Sequence, residues 1–434
     1  MKVIFFALII LLQFIFIEAS PIHVTLKKEN NLFSLLVNGK QYYIKGAGGN
    51  SHYKRLKTIG GNSIRTWSAT GAKYILDSAY ANGLTVTLGI EMALQRQGFD
   101  YSDKKKVGEQ FERIKKEILS FKDHPALLVW GIGNELELNT NNFEIWNAVE
   151  EIASYIHKTD PHHPTTTMLA GVPQEHITEI IKRCPSLDIL SINAFKDLPY
   201  VNAKIKKSGW KGAYLITEWG PDGYWESQKN QWGAFIEATS SEKADLCKHR
   251  YLNYINKSEN CLGSYIFYWG YKQERTHTIF SMFQEKNYET EIIGCMQEIW
   301  NNSKISNFVP RISKIRLNNK DLPLNFKSQP SQKLNLSINA TDSEKEKLTY
   351  KWEIYFESKE QKMGGDKEMK PPQINGCFLQ SNNFSTEFLT PLTPGPYRIF
   401  AYAYDKSGHI ATANWPLMVE DPRKSIQNKQ VKMK

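Results

Sequence analysis

Leu127 to Glu137 reads LLVWGIGNELE. Leu127 to Trp130 is an apolar run too short for a helix, which predicts a buried strand. Gly131 and Gly133 then allow a tight turn without side-chain obstruction. Directly after them stand an amide, Asn134, and a carboxylate, Glu135. A strand that delivers polar groups at its C-terminal end is how an α/β barrel presents its chemistry.

A second stretch answers the first. Tyr214 to Gly220, YLITEWG, is again a short apolar run, ending in Glu218 and Trp219. Two carboxylates at strand ends of one barrel suit cleavage of a glycosidic bond. One is then the acid/base and the other the nucleophile, with retention when they stand about 5 Å apart. Around these two strands the chain alternates. Strands are expected at Tyr43–Ala47, Asn62–Trp67, Leu84–Ile90, Thr165–Leu169, Leu187–Asn193 and Leu262–Trp269 as well. Helical patterns separate them, among them Asp103–Lys122, Phe143–His157 and Glu242–Asn256. Eight alternations over about 260 residues predict an α/β fold, a (β/α)8 TIM barrel. A short hairpin at Ile22–Val37 is expected to cover the barrel bottom. From Arg311 to Val419 short alternating runs, split by Gly, Pro, Asn and Asp, predict an immunoglobulin-like β-sandwich. Gln361–Pro372 reads as a polar loop. The expected layout is a signal peptide at 1–19, a catalytic barrel with its hairpin at 20–305, a sandwich at 306–420 and a disordered basic tail at 421–434.

The remaining composition narrows the class. Met1 to Ser20 has one Lys, an apolar run and Ile17-Glu18-Ala19, the pattern of a secretory signal. The run is short of the roughly 20 apolar residues of a membrane span. A secreted protein, extracellular or periplasmic, is therefore expected, with no stable membrane span after cleavage. The net charge is +10, but the basic residues are scattered and no nucleic-acid motif occurs. Five Cys at 184, 247, 261, 295 and 377 form no disulfide framework and no metal spacing. One bridge, Cys247–Cys261, or free buried thiols both fit them. His162-His163 reads as turn chemistry. No metal and no cofactor is expected. Eleven Trp and 21 Tyr exceed what packing needs, and such rings can floor sugar sites.

WGIGNE followed by ITEWG resembles clan A of the glycoside hydrolases, retaining (β/α)8 enzymes. The resemblance implies that Glu135, ending strand four, is the acid/base and that Glu218, ending strand seven, is the nucleophile. It further implies that Asn134 holds the sugar 2-hydroxyl, that Arg65 hydrogen-bonds the nucleophile and that Trp269 floors the subsite beside the cleaved bond. The barrel-plus-sandwich layout is similar to the endo-β-1,3-glucanases of family 158. The family 2 barrel is the broader resemblance, though family 2 chains carry two β-domains in front of the barrel. Phe195 departs from the Tyr that relatives often have after strand six. The loop PDGYWESQKNQWG adds Tyr224, Trp225 and Trp232 as candidate sugar platforms, and GYKQERTHT adds Lys272, with Gln273 and His277 as further candidates. Glu91, Gln95 and Arg96 after strand three are weaker ones. The expectation is a secreted, monomeric, retaining endo-β-1,3-glucanase acting on a polysaccharide or oligosaccharide. A transglycosylase, or another β-glucanase or β-mannanase, uses the same two Glu. A non-catalytic glycan-binding protein is the reading from a different class.

Overall fold

The computed structural model describes residues 20–421, apart from 361, 364 and 381. The expected signal segment, and the expected tail beyond residue 421, lie outside the described residues. Eight parallel strands close into a barrel: β1 (Ile44–Gly48), β2 (Ser63–Arg65), β3 (Thr85–Ile90), β4 (Leu127–Asn134), β5 (Thr165–Ala170), β6 (Ile189–Asn193), β7 (Ala213–Trp219) and β8 (Cys261–Ile266). A helix follows each in turn: α1 (Tyr53–Thr58), α2 (Ala72–Ala81), α3 (Lys104–Phe121), α4 (Glu144–Thr159), α5 (Gln174–Arg183), α6 (Val201–Ser208), α7 (Ser240–Arg250) and α8 (Glu291–Asn301). β4 and β7 read as largely apolar runs because both faces are covered, one by the barrel interior and one by helices.

Local chemistry fixes several boundaries. Asp103 caps α3 by accepting from the N–H groups of Lys105 and Lys106. Thr239 and Glu242 form a capping box that starts α7. The helix expected at Glu242–Asn256 therefore begins earlier, and past Arg250 it loosens into a π turn at Tyr251–Ile255. The N-terminal hairpin, Val24–Glu29 against Leu32–Val37, packs Val24 and Leu35 on Ile44, Leu128, Ile189 and Leu215 at the barrel bottom. His163 Nδ1 lies 2.9 Å from Asp160 Oδ2 in the turn before β5, and Trp130 Nε1 donates to the same oxygen at 2.7 Å. All five thiols are free, so the candidate Cys247–Cys261 bridge is not formed.

The C-terminal domain is a sandwich of two four-stranded sheets. One contains Lys333–Ser337 and Ser385–Leu389, and the other Thr349–Phe356, Gly395–Tyr404 and Ile410–Val419. Phe388, Leu336, Trp352, Ile399 and Leu417 meet in its core. Gly395–Tyr404 is buried along most of its length because its outer face lies on the barrel. There Tyr402 OH stands 2.7 Å from His277 Nε2. Buried Arg398 donates to Asn414 Oδ1, to the Phe235 carbonyl and to Glu357. A guanidinium taken out of water needs this full set of acceptors, so the two domains are joined by a specific polar clamp.

Candidate active site

Both carboxylate-bearing strands are bulged just before their Glu. Between β4 and β5 the register runs from Gly131↔Thr166 to Asn134↔Met168, so three steps on β4 oppose two on β5. Between β7 and β6 it runs from Ile216↔Ile192 to Glu218↔Asn193, two steps against one. Such insertions re-aim side chains at a strand end. In β4 the turn is absorbed at Gly133, φ +71°, where an added Cβ would lie 2.4 Å from Leu136 Cδ1. Gly131 lies in the same strand without a positive φ. Glu135 follows in the left-handed region, φ 51°, held by its own N–H to the Met168 carbonyl at 2.8 Å. Glutamate pays for that conformation, and the strand end holds it there.

The side chains form one network. Arg65, fully buried at the end of β2, donates Nη1 to Glu218 Oε1 at 2.6 Å and Nη2 to Asn134 Oδ1 at 2.5 Å. Trp67 Nε1 donates to the same Glu218 oxygen at 2.8 Å. Both donors thus converge on Oε1. Asn193 Nδ2 donates to Asn134 Oδ1 at 3.1 Å and to Glu135 Oε1 at 2.9 Å. With its oxygen taken by Arg65 and Asn193, the Asn134 side chain is fixed in orientation and its amide N–H groups are left for a ligand. Thr217 Oγ1 donates to Asn193 Oδ1 at 2.9 Å and so fixes Asn193 in turn.

The two carboxyls have different surroundings. Burial and the neighbouring Glu218 charge push the Glu135 carboxyl up to about 7, against the opposing hydrogen bond from Asn193. A carboxyl near 7 can hold a proton at neutral pH and give it up. Glu218 is 7% exposed and takes two donors, one of them charged. Two residues on, Glu137 is also buried. Its Oε1 accepts the Ala170 N–H at 2.6 Å, and burial pushes its carboxyl up to about 8.

A cavity of about 1040 Å³ opens over this network at the C-terminal mouth of the barrel. Glu135, Glu218, Asn134, Tyr224, Trp225 and Lys272 line it, as do Glu91 and Arg96. Arg65 lies directly beneath. Trp269 does not floor it. β8 ends at Ile266 rather than at Trp269, and Phe267 and Tyr268 take the cavity wall. Trp269 turns inward instead, fully buried and edge-on to Phe283 at 5.0 Å. Trp67 covers Glu218 in its place. Trp232 is also outside the cavity, in a turn after Asn230. His277 sits in the domain interface, and Gln95 is spent on Thr140. The side-chain amide of half-buried Gln273 is tucked away from the cavity as well. Phe195 lines the cavity and offers no hydroxyl there. Trp67 and Asn193 were not among the expected site residues, although the Arg65-Thr66-Trp67 spacing puts Arg65 and Trp67 on one side of an extended segment.

No protein-family model and no curated protein sequence matches the chain. Solved structures do resemble it. An FMN-binding β-glucuronidase from Facaelibacterium prausnitzii L2-6 superposes with a TM-score of 0.50 at 13% identity, over 92% of this chain and 58% of its own. A β-glucuronidase from Ruminococcus gnavus gives 0.50 at 14% identity, over 64% of this chain and 52% of its own. The chain spans a little over half the length of either. Its structural neighbours are glycoside hydrolases, and at such identities the likeness establishes the TIM-barrel fold.

Proposed function

We propose that the protein is a retaining β-glycoside hydrolase of the clan A kind. The observation that carries this is the pair of carboxyls at the ends of β4 and β7 in opposite surroundings. Glu135 is held near 7 by burial and by Glu218, while Glu218 is clamped by Arg65 and Trp67. In the first step Glu218 attacks the anomeric carbon. The bond to the leaving oxygen breaks, and that oxygen takes the Glu135 proton. In the second step Glu135 takes a proton from water, whose oxygen displaces Glu218 from the sugar. The Asn134 amide is placed to bind the sugar hydroxyl next to the reacting carbon.

The charges around the cavity favour a neutral sugar. Lys272 is paired with Glu274 at 2.7 Å and Arg96 faces Asp366 at 3.8 Å. Arg275 stacks over Tyr224 at 4.5 Å and faces Glu368. A uronic acid needs an unpaired cation to offset its desolvation, and these three are committed, as is Lys362, which faces Glu360 at 3.7 Å. A β-glucan of the laminarin type, as the family 158 resemblance implies, fits a wall of Tyr224, Trp225 and Tyr268. The leader at 1–19 would direct export to where such polymers lie. Transfer to a second sugar in place of water uses the same groups. The test is product analysis of the purified protein on laminarin, lichenan, carboxymethyl-cellulose and mannan, with Glu135→Gln alongside. Sugar release from laminarin, lost in the variant, supports the proposal. No release from any of the four refutes the polysaccharide assignment, and absence of aryl β-glucoside hydrolysis as well refutes the glycosidase reading.

A further inference from the structure

The polar loop that leaves the sandwich after Phe356 does not stay with its own domain. Lys362, Met363, Gly365 and Asp366 line the same cavity as Glu135 and Glu218. Their anchors lie on two rims. On the first, Gln97 Nε2 donates to Asp366 Oδ2 at 3.2 Å and Arg96 stands at 3.8 Å from the same carboxylate. Both residues follow β3. Asn139, after β4, donates to Met363 Sδ at 3.3 Å. On the second rim Tyr224 OH, after β7, donates to the Lys362 carbonyl at 3.0 Å. Lys272 Nζ, after β8, donates to the Gly365 carbonyl at 3.0 Å, and the Arg275 N–H donates to Glu368 Oε2 at 2.6 Å.

In the closed ring β3 and β4 stand opposite β7 and β8. A segment tied to both pairs must cross the mouth. Glu135 follows β4 and Glu218 lies at the end of β7, and both line the cavity that the strap residues also line. The strap is rooted at both ends as well. Glu357 pairs with buried Arg398 at 2.9 Å, and Lys370 pairs with Glu285 at 2.8 Å.

We propose that this strap roofs the catalytic pair, so that a glucan enters by a chain end and never by an internal segment laid down from above. This rests on the glycosidase reading and sets its mode of attack. A polymer can reach under a bridged mouth only by threading, whether the space beyond is a tunnel or a dead end. The C-terminal domain is then part of the substrate site, and the internal, endo attack implied by the resemblance gives way to attack at chain termini. Small glycosides and short oligosaccharides of neutral sugar are the substrates that fit with least hindrance.

The experiment uses the full chain. Hydrolysis of an aryl β-glucoside, lost in Glu218→Gln, first establishes the glycosidase reading by itself. Laminarin is then followed by size-exclusion and product chromatography from the earliest times. The strap predicts one short product from the start, with the polymer length barely falling. An immediate ladder of mixed lengths overturns it while leaving the glycosidase reading intact. Asp366→Ala, which frees the strap from Gln97 and Arg96, and separately Gln97→Ala, are expected to add mixed-length products. Variants that fold, cleave the aryl glucoside and still release only the end product would show that the strap is not what blocks internal attack.

Discussion

Asn193→Ala gives a prediction with a definite sign. Asn193 Nδ2 donates to Glu135 Oε1 at 2.9 Å and favours the ionised carboxyl, against burial and the Glu218 charge. In the proposed mechanism Glu135 must carry a proton in the free enzyme, so kcat/KM falls as pH rises past about 7. Removing the Asn193 donor removes one hydrogen bond to a charged group, worth about 1.5–3 kcal/mol. At 1.36 kcal/mol per unit, the alkaline limb moves up by about 1–2 units. The assay is kcat/KM against pH on an unactivated laminari-oligosaccharide, whose leaving oxygen needs the proton. The variant also strips Thr217 of its acceptor, so folding stability is measured separately, by urea unfolding at one pH. An alkaline limb that stays in place or moves down would refute Glu135 as the acid held by Asn193.

Four further outcomes follow from the same geometry. Burial holds the Glu137 carboxyl near 8 against an ordinary 4.5, so the folded state keeps a proton that the unfolded chain gives up. Stability should therefore fall as pH rises from about 4.5 through 8. Glu137→Gln should flatten that fall and raise the unfolding midpoint at pH 8; parallel stability curves would contradict it. Gly133→Ala places a Cβ 2.4 Å from Leu136 at φ +71° and should cost about 2–4 kcal/mol in urea unfolding, from strain plus overpacking. Trp225→Ala removes an exposed cavity ring and should raise KM by about 2- to 12-fold with kcat little changed, as expected for 0.5–1.5 kcal/mol of aromatic contact. Trp269→Phe, away from the cavity, should leave KM unchanged.

Much of this was legible in the chain because a barrel strand covered on both faces writes a plain apolar run. The groups at its C-terminal end sit next to that run in sequence. Leu127–Trp130 before Asn134 and Glu135, and Tyr214–Ile216 before Glu218, are read this way. Four features were not legible. The bulges at Gly131–Asn134 and Ile216–Glu218 are relations between strands, with no local signature beyond Gly133. Trp269 was misplaced because β8 was extended to it. Three residues past Ile266 the ring instead turns into the core behind Gly48, whose carbonyl accepts the Trp269 N–H at 2.8 Å. The strap reads locally as a polar loop, since its meaning lies in contacts such as Gln97 with Asp366, remote in sequence. The strand Ser385–Leu389 was missed for a related reason. Only Thr386 and Phe388 of its five residues face inward, and that alternation is too short to stand out until Lys333–Ser337 pairs with it.

The central claim is that Glu218 becomes bonded to sugar while Glu135 handles the proton. The most direct measurement is mass spectrometry of the protein after reaction with a 2-deoxy-2-fluoro β-glucosyl fluoride, which slows the second step more than the first. The account predicts one fluoroglucosyl adduct, on the peptide that contains Tyr214–Gly220, at Glu218. An adduct on Glu135, or turnover with inversion and no adduct, would contradict it.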